Sequence, residues 1–176
     1  MDLEEFMKQY PVLRNIKRFS MESTIRPQDL CGHGYAVGTI FYLLCKGFGI
    51  NLSGETLFII MNHDYVESYT GDLNKLLKEK NATTKNAWRT LEAQCIPDHL
   101  GDFTDAGISA HFKFVYGDLS GTLEKIFKLS DSLDAYLYTS EEVKLGNTFL
   151  SRACSHYEEV VNNLFLELNT EAEKVQ

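Results

Sequence analysis

The sequence predicts an all-α protein. Apolar residues recur at three- and four-residue spacing along almost the whole chain, no useful stretch alternates with the two-residue period of a strand, and only Pro11, Pro27 and Pro97 interrupt the pattern. With 176 residues, 44% of them hydrophobic and 12% aromatic, the chain is long enough to bury a core and short enough to form a single domain over 1–176.

A first helix is expected over about residues 2 to 18, stopping before the polar turn Ser20-Met21-Glu22-Ser23-Thr24, and a second from near Asp29 to Gly47 or Gly49. Ser53 reads as the N-cap of a third, with Glu55 and Thr56 in its first turn. The apolar residues Leu57, Phe58, Ile60 and Met61 lead from there into His63-Asp64, and Gly71-Asp72 breaks the helix. Further helices are expected at about 73 to 80, at 84 to 95 ahead of Pro97, and at 118 to 138, where Leu119, Leu123, Ile126, Phe127, Leu133 and Leu137 form a stripe. The segment from about Asp98 to Gly117 is rich in Gly and Asp, and Ile108 to Val115 fits either a short helix or irregular chain. Tyr157, Val160, Val161, Leu164, Phe165 and Leu168 mark the clearest amphipathic helix, with a polar tail after Asn169 expected to fray.

Composition narrows the function. A formal charge of -8 argues against a nucleic-acid binder, which needs a basic stripe to gain from counterion release, so a phosphorylated ligand should be small and held locally. No apolar run approaches a membrane span, and the start Met1-Asp2-Leu3-Glu4-Glu5 is acidic where a secretory signal is basic, so a cytoplasmic location is expected. Cys31, Cys45, Cys95 and Cys154 form no Cys-x-x-Cys pair and read as free thiols.

Chemistry concentrates in two places. His63 and Asp64 are adjacent, and Glu67 follows them by four and three residues, one helical turn on, where an acid could handle a water on a cation that they bind. A His-Asp dipeptide alone is weak evidence, being more often a surface or capping feature. His33 lies between glycines in Cys31-Gly32-His33-Gly34-Tyr35, which would let other backbone approach the imidazole. His99, His111 and His156 have no partners at metal-like spacing and read as structural or surface residues; Asp118 reads as a helix N-cap, and Trp88 with Leu91 as core or oligomer contact.

Three blocks in order carry a family resemblance. Arg18-Phe19 with Ile25-Arg26-Pro27-Gln28-Asp29-Leu30 and Gly32-His33-Gly34-Tyr35-Ala36-Val37, then Met61-Asn62-His63-Asp64-Tyr65-Val66-Glu67-Ser68-Tyr69-Thr70-Gly71-Asp72-Leu73, then Lys128-Leu129-Ser130-Asp131-Ser132-Leu133-Asp134-Ala135-Tyr136-Leu137 resemble the signatures of HD-domain 5'-deoxynucleotidases, whose fold is a helical bundle. The resemblance implies that His33, His63, Asp64 and Asp131 ligate one divalent cation, Zn, Co or Mn with Mg a further option. It implies that Glu67 positions or deprotonates the attacking water, that Arg18 clamps phosphate, and that Asp72 acts near the sugar. Phe19, Lys75 and Lys78 join Arg18, Asp72 and the ligands His33, Asp64 and Asp131 in the expected substrate-binding set. The implied reaction cleaves the P–O5' bond and releases a nucleoside, with orthophosphate from a monophosphate or triphosphate from a triphosphate.

Departures bear on specificity. Phe19 stands in place of Trp, Asn74-Lys75-Leu76 in place of Pro-Thr-Pro, and Gly32 where the family often carries Glu, which removes a carboxylate beside the first histidine. Short length and the altered loop after Asp72 tilt the reading toward the phage HD enzymes that hydrolyse dATP and its lower phosphates, in which case the host cytoplasm is the location. The alternatives are a broad 5'-deoxynucleotide monophosphatase and a non-catalytic nucleotide-binding HD protein; the latter would have lost a ligand or the acidic helper, and this chain keeps both. Cyclic-nucleotide or guanosine tetraphosphate HD hydrolases usually have longer chains. The family resemblance also implies a homo-oligomer, dimer or hexamer.

Overall fold

The computed structural model describes residues 3–72, 81–100 and 121–173. Their elements are α1 (Leu3–Asn15), α2 (Leu30–Gly47), α3 (Gly54–Met61), the short α4 (Glu67–Thr70), α5 (Ala82–Leu100), α6 (Thr122–Lys144), a 3-10 turn (Thr148–Leu150) and α7 (Ser151–Glu173). Among the described residues the only β pairing is one isolated bridge, and no helix is long and apolar enough to cross a membrane. The all-α expectation holds.

Two helices start where the sequence places them, because their caps are local. Asp29 is extended, and its carboxylate accepts from Gly32 N at 2.8 Å; Ser53 accepts from Thr56 N at 3.0 Å, so each side chain satisfies a backbone donor that the first turn leaves open. Along α2 the buried positions Leu30, His33, Gly34, Val37, Gly38, Phe41 and Cys45 form one stripe at helical spacing. That stripe meets Ile60 of α3, Ile126 and Leu129 of α6 and Leu168 of α7 in the main core. Removing a side chain as completely buried as Phe41 would cost roughly 3–5 kcal/mol. A smaller cluster of Leu13, Leu30 and Tyr65 fastens α1 to this body.

Elsewhere tertiary contacts override local pattern. α1 ends at Asn15, not near residue 18, because the chain turns to pair with the approach to α2: Lys17 bridges Asp29, Arg18 N donates to Gln28 O at 2.9 Å, and Leu30 N donates to Ile16 O at 3.3 Å. Phe19 then adopts φ 55°, the only positive value outside glycine among the described residues, at a cost of roughly 1–2 kcal/mol. Its ring is held by stacking on Tyr138 at 5.2 Å and an edge contact with Tyr157 at 6.4 Å.

The third helix likewise ends at Met61, before His63-Asp64. Asn62 stops it by donating its side-chain amide to Phe58 O at 2.7 Å, with Tyr10 Oη donating to Asn62 Oδ1 at 3.4 Å. Residues 62–69 are then wound by bonds between residues three apart, Tyr65 N to Asn62 O, Glu67 N to Asp64 O and Ser68 N to Tyr65 O, until Gly71 at φ 73° ends α4. α5 continues past Pro97 to Leu100, since a proline deletes one helical bond without forbidding the turns around it. α6 begins at Thr122 rather than 118 and runs beyond 138 to Lys144, where Gly146 at φ 100° donates to Val143 O. α7 stays helical past Asn169 to Glu173. The helix expected at 73–80, the segment from 101 to 117 and the Asp118 cap lie outside the described residues.

Candidate metal centre

One close approach assembles the site. A Cβ at Gly34 would stand 2.2 Å from the carbonyl oxygen of Met61, so only glycine lets the end of α3 rest on α2 at that point. The close approach of backbone expected at the His33 imidazole falls instead on Gly34 itself, and Gly32 plays no part in it. His63, two residues beyond Met61, thereby comes beside His33, with ring centroids 5.0 Å apart. α6 adds Asp131 from the far side.

Both imidazoles are buried, and both commit Nδ1 away from the cluster. His63 Nδ1 lies 2.8 Å from Ile60 O; a carbonyl only accepts, so Nδ1 carries the proton and Nε2 presents its lone pair. His33 Nδ1 lies 2.6 Å from Asp134 Oδ2 and 2.7 Å from Arg18 Nη1. The carboxylate takes the shorter contact and cannot donate, so Nδ1–H points to Asp134, and the two Arg18 Nη1 hydrogens go to Asp134 Oδ2 and Gln28 Oε1, each at 3.1 Å. His33 Nε2 is then a buried nitrogen with no hydrogen-bond partner among the described residues.

That nitrogen faces carboxylates at distances that fit an ion between them. His33 Nε2 is 3.4 Å from Asp64 Oδ2 and 3.3 Å from Asp131 Oδ1, and His63 Nε2 is 3.4 Å from Asp64 Oδ2. Ligands bonded at about 2.1 Å to a tetrahedral cation stand about 3.4 Å from one another, and the observed edges match. His33, His63 and Asp131 form a group whose ligand atoms all lie within 4.8 Å of one another. The residues therefore fit a first-row divalent cation, since the donor set is imidazole and carboxylate with no thiolate.

Electrostatics point the same way. Burial and the neighbouring Arg18 charge pull the His33 pKa down, but the carboxylates of Asp131, Asp134 and Asp64 around the ring outweigh them and lift it to about 9. Burial favours a neutral Asp64, yet His63, His33 and Arg18 outweigh it and hold the carboxyl below its usual range. Arg18 is kept firmly protonated against burial by Asp131, Asp64 and Asp134. A pocket so dense in carboxylates attracts a cation.

The other expected residues fall as follows. Arg18 sits at the rim of the cluster with Nη2 3.8 Å from Asp131 Oδ1 and its guanidinium 5.6 Å from the Phe19 ring centroid. Glu67 is buried on the turn three residues after Asp64, and residues three apart on a chain wound this way share a face. Asp72 is half-buried just after Gly71, while Lys75 and Lys78 lie outside the described residues. His156 is exposed on α7, as a surface residue should be. Asp134 and Gln28 had no assigned role in the sequence reading. Asp134 sits three residues after Asp131 on one helix, a spacing that puts both on one face and was the available signal.

Comparison with known proteins agrees with this frame. Residues 5–172 match the family model described as 5'-deoxynucleotidase YfbR-like. A 5'-deoxynucleotidase of Photorhabdus laumondii is 25% identical over 166 residues, 90% of this chain and 84% of the relative. Among solved structures, an HD-domain phosphohydrolase from Listeria innocua superposes with a TM-score of 0.73 at 16% identity, covering 100% of both chains. The cyanophage S-2L HD phosphohydrolase DatZ, bound to dA and one catalytic Zn2+ ion, superposes with a TM-score of 0.62 at 16% identity over 99% of this chain and 98% of that one. Because the family match runs nearly end to end and takes in every residue of the histidine–aspartate cluster, the chain belongs to the YfbR-like 5'-deoxynucleotidases of the HD-domain phosphohydrolase fold.

Proposed function

We propose that the chain is a metal-dependent phosphohydrolase that removes the 5'-phosphate of deoxynucleotides, with His33, His63, Asp64 and Asp131 as the metal ligands. The observation that carries this reading is the buried Nε2 of His33, 3.4 Å from Asp64 Oδ2 and 3.3 Å from Asp131 Oδ1, with His63 Nε2 3.4 Å from the same Asp64 oxygen, all at the edge length of a tetrahedral ligand shell. When bound, a divalent cation there supplies an acidified water and offsets charge on the phosphoryl oxygens.

The chain's own groups do the rest. Arg18 spends Nη1 on Asp134 and Gln28, which leaves Nη2, on the Asp131 side, to pair with a phosphate oxygen without reorganising. Glu67, buried a turn beyond Asp64, receives the proton of the attacking water. Asp72, next to Gly71, meets the sugar, Lys78 is a further phosphate contact and Lys75 belongs to the same substrate-binding set. Phe19 keeps Arg18 in place through its guanidinium contact and closes the aromatic side of the sugar pocket.

The finer reading is the phage-type one, in which dATP, dADP and dAMP all yield deoxyadenosine. The dA and catalytic Zn2+ of DatZ are consistent with it, whereas the name of the Photorhabdus relative, 5'-deoxynucleotidase, is consistent with the alternative, a broad 5'-deoxynucleotide monophosphatase. The family match from 5 to 172 supports one domain. A cytoplasmic location and a homo-oligomer complete the proposal. The test is turnover of the four deoxynucleoside mono- and triphosphates, with ribonucleotide controls, under Mn, Co, Zn and Mg, resolving orthophosphate from triphosphate. Orthophosphate from the monophosphates supports the nucleotidase, and triphosphate with deoxyadenosine from dATP alone supports the finer reading. Absence of any metal-dependent release contradicts both.

A further inference from the structure

We propose that Asp134 is a positioning residue that serves two parts of the site through one oxygen atom, an inference that rests on the metal-centre reading above. Asp134 Oδ2 accepts from His33 Nδ1 at 2.6 Å, from Gln28 Nε2 at 2.9 Å and from Arg18 Nη1 at 3.1 Å. The side chain is 8% exposed, so these bonds form where water competes little.

Each contact does something separable. The bond from His33 fixes the ring with Nδ1–H on Asp134, and turns Nε2 toward Asp64 and Asp131. A carboxylate behind a ligating imidazole also raises its basicity and hence its grip on a cation. The bond from Arg18, reinforced by Gln28 on the same Nη1, sets the plane of the guanidinium so that Nη2 falls on the Asp131 side. One carboxylate thus ties the position of the phosphate-facing charge to the orientation of a metal ligand. Gly32 supplies no carboxylate beside His33, and Asp134 brings one from α6 instead.

Asp134→Asn tests the assignment, because the amide keeps the volume and loses the charge. Affinity for Zn2+, measured by competition with a chromogenic chelator, should fall roughly 10- to 100-fold in Asp134→Asn and recover in part in Asp134→Glu. At saturating metal the Asn variant should also show a raised KM, reporting the loosened Arg18. In the Zn-loaded unmutated protein, the His33 Nδ1 proton should resonate far downfield as a strongly hydrogen-bonded imidazole N–H and move upfield in Asp134→Asn. That signal keeps the test open should the variant not fold: a His33 Nδ1 proton in the unmutated protein that exchanges freely with water overturns the proposal. Equal Zn2+ affinity in the unmutated and Asn proteins, with the resonance unmoved, overturns it while leaving the metal centre intact. An unmutated protein that takes up no metal overturns the centre itself and this proposal with it.

Discussion

Asp134 and Glu142 lie eight residues apart on α6, at 6% and 1% exposure, and they differ in what satisfies them. Glu142 accepts from the backbone N–H of Ile25 and Arg26 and from Asn147 Nδ2, each at 2.7 Å, and these donors hold it below the ordinary carboxyl range against the opposing effect of burial. Asp134 accepts from His33, Arg18 and Gln28, all side chains, two of which face the metal cluster. One carboxylate closes on backbone and staples the connection between α1 and α2 to the end of α6. The other closes on groups that themselves face a ligand. A buried acid is therefore read by where its donors lead, since burial alone does not separate structure from chemistry.

The strongest way to break this division is to remove the other ligands of the cluster that His33 faces. His63→Ala and Asp131→Ala should each lower phosphate release by roughly three orders of magnitude while the melting temperature changes little, because the loss is one of metal-borne catalysis worth several kcal/mol. Turnover and bound metal per chain, measured together, check it; full activity with an altered melting temperature would make the cluster structural.

Glu142→Ala attacks the other side and should do the reverse. Two backbone donors left buried cost about 3 kcal/mol, which lowers the melting temperature by roughly 6–12 °C. Metal affinity of the folded fraction should hold. The sign with pH follows from the depressed pKa: the Glu142 contribution is fully present above the ordinary glutamate value and is lost as pH falls through the lower folded value. Denaturation curves between neutral pH and about pH 3 should show a smaller acid-induced loss in Glu142→Gln than in the unmutated chain.

Sequence pattern reveals these features unevenly. The starts of α2 and α3 were legible because Asp29 and Ser53 cap donors three residues away. Ends set by distant partners were not: α1 stops to pair Lys17 with Asp29, and Asn62 stops α3 with help from Tyr10, 52 residues away. His33, His63, Asp64 and Asp131 were nameable from motif resemblance, and the fold brings them together. Asp134 stayed hidden because its partner His33 is 101 residues away, and an aspartate in a long helix looks like a solvated one.

Three milder changes sharpen the comparison. Gly34→Ala forces a Cβ against the fixed Met61 carbonyl, whereas Gly38→Ala meets the Met61 side chain, with Cγ at 2.3 Å, which can rotate away. Gly34→Ala should therefore cost about 2 kcal/mol and weaken Zn2+ binding by parting His63 from His33, with Gly38→Ala sparing the affinity. Thermal melts and chelator competition on both variants decide it. Arg26→Ala should cost under about 1 kcal/mol, since its ion pair with Glu141 at 2.6 Å is exposed and its backbone still reaches Glu142.

The most direct test locates the cation. Crystals of the Zn-loaded protein, measured on both sides of the zinc absorption edge, should give one anomalous peak bonded to Nε2 of His33 and His63 at about 2.0–2.1 Å, with carboxylate oxygens of Asp64 and Asp131 in the same shell. No peak there, or an ion held without either imidazole, would contradict the account.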